Sequence, residues 1–177
     1  MSLSIRHITR SEARKAVADW HSHHKPHVGD IICLGAFLGG ELVAVEVLGR
    51  PISPVLDNGQ TWEITRQAIG PNAPKFTSSR LHGRATRLAL AAGCDLVVTY
   101  TRVDEIGSSL LASNFRPVAI VKGREHTTGN RSTRWLPGLY EPSTETIDRV
   151  RWEYGPAAHG TACKWSGSRW VSLKEAT

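Results

Sequence analysis

Four of the eight histidines lie within seven residues, at positions 21, 23, 24 and 27. Neutral imidazole is a base near pH 7 and a good ligand for iron or zinc. His23 and His24 are adjacent, so a chelate needs either a turn or His21 with His24 on one helical face. The alternative is a solvated loop after a helix, where histidine suits the negative end of the helix dipole. The pattern favours His23 and His24 as catalytic groups and His21, His23 and His24 as metal ligands.

A strand predicted over residues 61–69 carries two charged side chains, Glu63 and Arg66. Glu63 could deprotonate an attacking amine if burial raises its pKa. In the alternative interpretation, Glu63 pairs with one of the many arginines. Because side chains of a strand alternate between its faces, residues three apart are expected on opposite faces.

A helix is predicted to begin at Ser78 or Ser79, whose hydroxyls can cap it, with Gly93 closing it. Its N-terminus offers free N–H groups and a positive dipole end, which together suit an anion. Arg80 lies nearest that end, on a stripe with Arg84 and Arg87 that could instead be a solvated helix face. The candidate phosphate ligands are therefore Lys75, Ser78, Ser79 and Arg80, with Arg66 added from the preceding strand.

The chain carries a net charge of +6 and has a pI near 9.6, which favours polyanionic partners. Residues 122–146 are polar and mix arginines with Trp135, a composition that suits phosphate contacts and stacking on a base. A surface loop without such a role is the alternative. The predicted nucleic-acid contacts are Lys25, Arg50, Arg124, Arg131, Arg134 and Trp135.

The remaining patterns predict a single α/β domain over residues 1–154, followed by a tail over 155–177 that packs on it or is partly ordered. Thr9 and Glu12 fit a capping box that begins a helix over residues 10–22. Strands are predicted over 3–8, 31–37, 42–48, 61–69, 96–100, 116–121 and 148–154, and a short helix over 106–113.

The chain shows no apolar run of about 18 residues, so we expect no membrane-spanning helix. Residues 1–10 lack the features of a signal peptide. The three cysteines are far apart, which indicates free thiols. These observations predict a cytoplasmic protein.

The order of these elements resembles the GNAT acyltransferase fold, in which helices flank a mixed central sheet. The resemblance covers roughly residues 1–121 and is clearest at Ala112-Ser113-Asn114-Phe115, which is similar to the turn before the sixth GNAT strand. It implies an acyl-CoA cofactor, with Asn114 as a further cofactor contact. It also implies that Tyr100, or Ser109 in the next helix, could protonate a leaving thiolate. Residues 72–80 contain no glycine, whereas the usual pyrophosphate loop of this fold is rich in glycine.

Several motifs in the same order resemble the Mom DNA-modification proteins of Mu-like phages and related small phage proteins. They are the histidine run at 21–26, Gly49-Arg50-Pro51, Glu63-Ile64-Thr65-Arg66 and the stretch from Ser78 to Arg87. The resemblance implies a host cytoplasmic enzyme that transfers an acyl-type group, such as a carbamoylmethyl group, to an exocyclic base amine of double-stranded DNA, with adenine as the expected base. It also implies iron. Where Mom has a histidine–tyrosine pair, this chain has His23-His24.

Two other functions remain open. One is an acetyl-CoA-dependent N-acetyltransferase acting on a small amine or a protein, and the other is a binding module of the same fold without catalysis. A homodimer is also compatible with the sequence.

Overall fold

Seven strands form one mixed sheet in the part of the chain that the computed structural model describes, residues 2–20, 30–123 and 147–173. The strand order is β1-β2-β3-β4-β5-β7-β6, and every adjacent pair is antiparallel except β4 and β5, which are parallel. The predicted mixed sheet flanked by helices is confirmed. The strands are β1 (Leu3–His7), β2 (Ile32–Leu38), β3 (Glu41–Gly49), β4 (Thr61–Ile69), β5 (Leu96–Arg102), β6 (Arg116–Val121) and β7 (Arg149–Tyr154).

Helices cover both faces of the sheet, because each carries one apolar stripe that it buries. Helix α1 (Arg10–Trp20) packs Ala16 and Val17 on Val45 and Ala68. On the opposite face lies α2 (Thr77–Ala91), which buries Leu81, Ala85 and Ala89 in a core cluster with Ile64 and Val97. The short helix α3 (Ser108–Leu111) adds Leu110 to this cluster.

The capping box predicted at the start of α1 is present. The Thr9 backbone N–H donates to Glu12 Oε2 at 2.8 Å, and the Glu12 N–H donates to Thr9 Oγ1 at 3.2 Å. Hydrogen bonds from Thr9 lower the pKa of Glu12. The two residues thereby satisfy N–H groups that the helix itself leaves free.

The C-terminal tail packs on the domain through a hairpin of β8 (Cys163–Trp165) and β9 (Trp170–Ser172). Trp170 is buried, lies edge-on to Trp152 with ring centroids 5.0 Å apart, and donates its indole N–H to the Glu105 carbonyl at 3.0 Å. Across the described ranges, no helix is long and apolar enough to cross a membrane.

Gly155 makes the turn from β7 into this tail and gives the first test. Its φ of 124° is in the region that favours glycine, and a Cβ there would collide with the Asp95 backbone carbonyl. We expect Gly155→Ala to lower the free energy of unfolding by about 2–4 kcal/mol. Gly160→Ala, where a Cβ meets nothing within 4 Å, is the matched control. Equal urea midpoints for the two variants would contradict this account.

Candidate functional site

A bulge in β4 decides which side chains meet. Val47 of β3 pairs with Arg66, while the next residue, Leu48, pairs with Ile64, so Thr65 is an extra residue in the strand. A bulge interrupts the alternation of faces. Ile64 accordingly lies in the core beneath α2, and Gln67, three residues later, also faces α2.

Glu63 and Arg66 therefore share the face of the sheet opposite α2, and the expectation that they lie on opposite faces was wrong. Each affects the other's ionisation, since the Arg66 charge works to lower the pKa of Glu63 and the Glu63 charge works to raise the pKa of Arg66. Burial lowers the pKa of Arg66 nonetheless. Its Nε has no hydrogen-bond partner within the described residues.

Strands β4 and β5 separate just beyond Glu63. They pair only from Thr61 with Leu96 to Glu63 with Val98, although both continue for several residues. At the point of separation the Thr99 hydroxyl donates to the Ile64 carbonyl at 3.0 Å. The result is an opening in the sheet between the bulged half of β4 and the end of β5.

Glu63 is a buried carboxylate beside this opening. It is 3% exposed, and its Oε2 accepts a hydrogen bond from the Ile52 N–H at 2.8 Å. Burial raises its pKa, against the opposing effects of that hydrogen bond and of Arg66. A carboxyl of raised pKa is a better proton acceptor than an ordinary surface glutamate.

Tyr100 lies on the same face of the sheet as Glu63. Its position follows from the register, because Glu63 pairs with Val98, and Tyr100 is two residues further along β5. Burial and the negative charge of Glu63 raise the pKa of its phenol. Tyr100 therefore keeps its proton at neutral pH and can donate a hydrogen bond.

The same face carries a Glu–His pair that the sequence interpretation missed. Glu153 pairs with Val98 across the sheet and is fully buried. Its Oε2 lies 2.7 Å from Nδ1 of the exposed His159, and its Oε1 lies 3.0 Å from Nε of Arg151. The alternation Arg151-Trp152-Glu153 in a predicted strand could have identified the two charged residues. No local pattern indicates His159.

The start of α2 differs from the predicted cap. Its N-cap is Phe76, which has a left-handed backbone with φ 68° and a 75% exposed side chain, and no side chain of the described residues caps the helix. Ser79 instead donates its hydroxyl to the Phe76 carbonyl at 3.1 Å, and Ser78 donates inward to Gln67 Oε1 at 2.5 Å. The Thr77 N–H donates to the Pro74 carbonyl at 3.3 Å, which leaves the N–H groups of Ser78 and Ser79 without a partner among the described residues. The exposed Lys75 and Arg80 are close by in sequence.

Beneath that first turn lies a second polar cluster that the sequence interpretation also missed. Glu46 Oε2 is 2.9 Å from His82 Nδ1 and accepts a hydrogen bond from Gln67 Nε2 at 2.5 Å. The other imidazole nitrogen, Nε2, faces the hydroxyls of Ser78 at 3.4 Å and Ser109 at 3.5 Å. A lone carboxylate in the apolar run of β3 and a histidine beside Leu81 were the available signals.

Asn114 occupies a different position from the other predicted cofactor ligands. Its φ of 63° shows that it makes the left-handed turn after α3, a conformation that asparagine tolerates. It lines a cavity of about 300 Å³ together with Leu90 near the end of α2, Arg116 and Tyr154. The structure therefore does not group it with Ser78 and Ser79 at the start of α2.

Arg50 is engaged by an acidic neighbour. Its Nε and Nη2 lie 3.1 and 2.6 Å from the two carboxylate oxygens of Asp57. The side chain is 76% exposed.

The remaining predicted groups lie outside the described residues, and their roles stay predictions: His21, His23, His24, Lys25, Arg124, Arg131, Arg134 and Trp135.

Trp20 and Asp30 are the described residues on either side of the histidine segment. Before it, Trp20 packs against Gly70 at the end of β4, and after it, Asp30 pairs with Arg10 of α1 at 2.6 Å. Both flanking residues lie on the α1 side of the sheet, where Glu63 and Tyr100 are. Over the ranges described, no group of three His, Cys, Asp or Glu residues could hold a metal ion.

Comparison with solved structures identifies the fold. The chain is similar to an IAA acetyltransferase from Bacillus cereus, at 17% identity and a TM-score of 0.62 over 87% of this chain and 99% of that one. It is similar to a Bacillus subtilis acetyltransferase in complex with CoA, at 21% identity and a TM-score of 0.57 over 86% and 97% of the two chains. A Salmonella typhimurium structure with its cofactor acetyl-CoA gives 12% identity and a TM-score of 0.61 over 90% and 96%. The fold is that of the GNAT acyltransferases.

Within this fold, the chain belongs to the Mom protein family, which matches residues 2–133. No curated protein sequence matches it.

The buried Glu63 gives a prediction for stability. Because its folded pKa is raised above the ordinary 4.5, the contribution of Glu63 to stability is greatest below that value and is lost as pH rises through the folded pKa. Glu63→Gln can still accept the Ile52 hydrogen bond but cannot ionise. We expect the free energy of unfolding of this variant, relative to that of wild type, to increase as pH rises above 4.5. The total increase should be about 1.4 kcal/mol for each unit by which folding raises the pKa of Glu63. The exposed Glu41→Gln is the control, and parallel pH profiles for all three proteins would contradict the prediction.

Proposed function

We propose that this protein transfers an acyl-type group from an acyl-CoA to an exocyclic amine of a DNA base, with adenine as the expected base. The observation that carries the proposal is the opening between β4 and β5. It lies between the uncapped start of α2 and a face that bears Glu63 and Tyr100. Membership of the Mom family supports the DNA substrate, and the net charge of +6 is compatible with it.

The donor would approach from the α2 side of the sheet. The free N–H groups and dipole of α2 suit the phosphates of CoA, with Arg80 and Lys75 as flanking cations. A Bacillus subtilis relative in fold is complexed with CoA, and the Salmonella typhimurium one with acetyl-CoA, which supports this choice of cofactor. The glycine-free loop is compatible with such a role because Phe76 already adopts the left-handed backbone that glycine would otherwise supply.

The acceptor amine would enter from the other face. Its nitrogen attacks the thioester carbonyl, the N–C bond forms, the C–S bond breaks, and the amine loses a proton. Glu63 is the proposed base, since burial raises its pKa, and Tyr100 is a proposed hydrogen-bond donor to the reacting group. His23 and His24, which follow α1 in the sequence, remain proposed alternatives to Glu63.

Nucleoside analysis tests the substrate. The protein is produced together with a plasmid, the plasmid is digested to nucleosides, and these are compared by mass spectrometry with those of an empty-vector culture. We expect a heavier form of one nucleoside, and a reduction of about 100-fold with Glu63→Gln, as general-base catalysis commonly contributes. Glu41→Gln should leave the yield unchanged. Unmodified nucleosides in the presence of folded protein would overturn the DNA substrate and leave transfer to a small amine or a protein.

Ligand-dependent unfolding tests the cofactor. Acetyl-CoA at 100 times its dissociation constant should stabilise the protein by about 2.7 kcal/mol, which a thermal scan detects readily. Arg80→Ala should weaken the effect. Arg87→Ala, two helical turns further along α2, should not. No stabilisation at millimolar acetyl-CoA would argue against the cofactor and favour a binding module without catalysis.

A further inference from the structure

We propose that Arg149 of β7 and Arg66 of β4 bind the backbone phosphate next to the acceptor base of the DNA strand. This inference rests on the proposed transfer to DNA and names the part of the site that would hold the sugar–phosphate backbone. Arg149 lies beyond residues 2–133, which the Mom family matches, so its assignment comes from the sheet register of this chain.

The register brings Arg149 to the face of the sheet that bears Glu63. Glu63 pairs with Val98 of β5, and Val98 pairs in turn with Glu153 of β7, so these three side chains point to the same side. Arg151 and Arg149 precede Glu153 by two and four residues and share its face, because side chains alternate along a strand. Arginines of β7 therefore stand on the same surface as the proposed base.

Strand β5 lies between β4 and β7, so Arg66 and Arg149 flank its end from opposite sides. Tyr100 of β5 is on the surface between them. A phosphate above this tyrosine would have a guanidinium group on each side, and the planar fork of a guanidinium matches phosphate oxygens well.

The spacing from the proposed base is compatible with one nucleotide. Glu63 and Arg149 are two strands and four residues apart. At about 4.8 Å between strands and about 3.4 Å per residue, their Cα atoms lie roughly 17 Å from each other. The two side chains span part of that distance. A nucleotide would bridge the rest, with its base amine at Glu63 and its phosphate at Arg149.

Arg149 is exposed, and no salt bridge joins it to an acid of the described residues. Arg102, directly across from it in β5, is bonded to Asp104 at 3.0 Å. Asp148, its neighbour in the sequence, accepts a hydrogen bond from Lys122 Nζ at 3.2 Å. Arg149 therefore offers its charge to an anion that approaches from solvent.

Arg66 has unmet bonding capacity on the same surface. Its Nη1 donates to the Thr65 carbonyl at 2.5 Å, whereas its buried Nε has no hydrogen-bond partner within the described ranges. The positive charge of Arg149 also works to lower the pKa of Arg66, so the two guanidinium groups repel each other. A phosphate between them would offset that repulsion and accept the unused donors.

Salt-dependent binding tests the phosphate contact without catalysis. The probe is a single-stranded oligonucleotide of about 15 thymidines with one central adenosine, whose base needs no unpairing. Fluorescence anisotropy measures binding between about 50 and 200 mM salt for wild type, Arg149→Gln and Arg87→Gln. Arg87→Gln removes an exposed arginine of α2, on the opposite face, and should behave as wild type.

We expect Arg149→Gln to weaken binding about tenfold at the lowest salt, as the loss of a charge-assisted hydrogen bond does. The slope of log Kd against log salt should fall by about 0.7, the share of one phosphate on a single strand. An unchanged slope would overturn the phosphate site, whether or not the protein modifies DNA.

Transfer to the same oligonucleotide tests which phosphate is bound, because its single adenosine fixes the register of productive complexes. A neutral methylphosphonate replaces the linkage on the 5′ or the 3′ side of that adenosine. On the unsubstituted oligonucleotide, Arg149→Gln should raise KM about tenfold and change kcat less than about threefold. One of the two methylphosphonates should raise the KM of wild type equally and leave that of Arg149→Gln unchanged, since the contact is already lost.

The remaining outcomes separate this site from the proposed function. Equal losses for Arg149→Gln on all three oligonucleotides would overturn the site, since the arginine would then act as a general surface charge. A loss of thermal stabilisation by acetyl-CoA in Arg149→Gln would also overturn it and assign the arginine to the cofactor. Wild type that shows the expected change of slope but transfers nothing would overturn the proposed function and leave the phosphate site standing. Wild type that binds no oligonucleotide would overturn both.

Discussion

The extra residue in β4 is the constraint on which the site depends. Thr65 is not paired with any residue in the register of β3 and β4, although its hydroxyl donates to the Val47 carbonyl of β3 at 3.3 Å. The bulge turns Arg66 to the side of Glu63 and Gln67 to the side of α2. It also bends the strand, as bulges do, next to the point where β4 and β5 cease to pair. The insertion of Thr65 thus creates the opening between β4 and β5. It also distributes the polar side chains of β4 between the α1 face and the α2 face of the sheet.

Each side of the opening then has its own electrostatic character. On the α1 side, buried carboxylates meet arginines, and burial keeps the pKa values of Glu63 and Tyr100 raised. On the α2 side, the Glu46 carboxylate contacts the imidazole of His82 and accepts a hydrogen bond from the Gln67 amide.

The backbone of Phe76 explains how a loop without glycine can lead into α2 with no side-chain cap among the described residues. A bulky residue in the left-handed region is uncommon and costs free energy, so the surrounding structure must hold it there. Its carbonyl is engaged twice, by the Ser79 hydroxyl at 3.1 Å and by the Arg80 N–H at 3.0 Å. Within the described residues, the first turn is fixed without any side chain bonding to its N–H groups. The predicted serine cap would have consumed one of them.

The sequence by itself determined the local elements. The sequence predicted β4 over residues 61–69 as the structure has it, and apolar spacing predicted the face that α2 buries through Leu81 and Ala85. These features depend on neighbours a few residues apart. The tertiary structure alone decided that Glu63 and Arg66 share a face, that Glu46 meets His82, and that Glu153 meets His159. Each of these depends on strand register or on the packing of a helix or the tail against the sheet, which local periodicity does not encode.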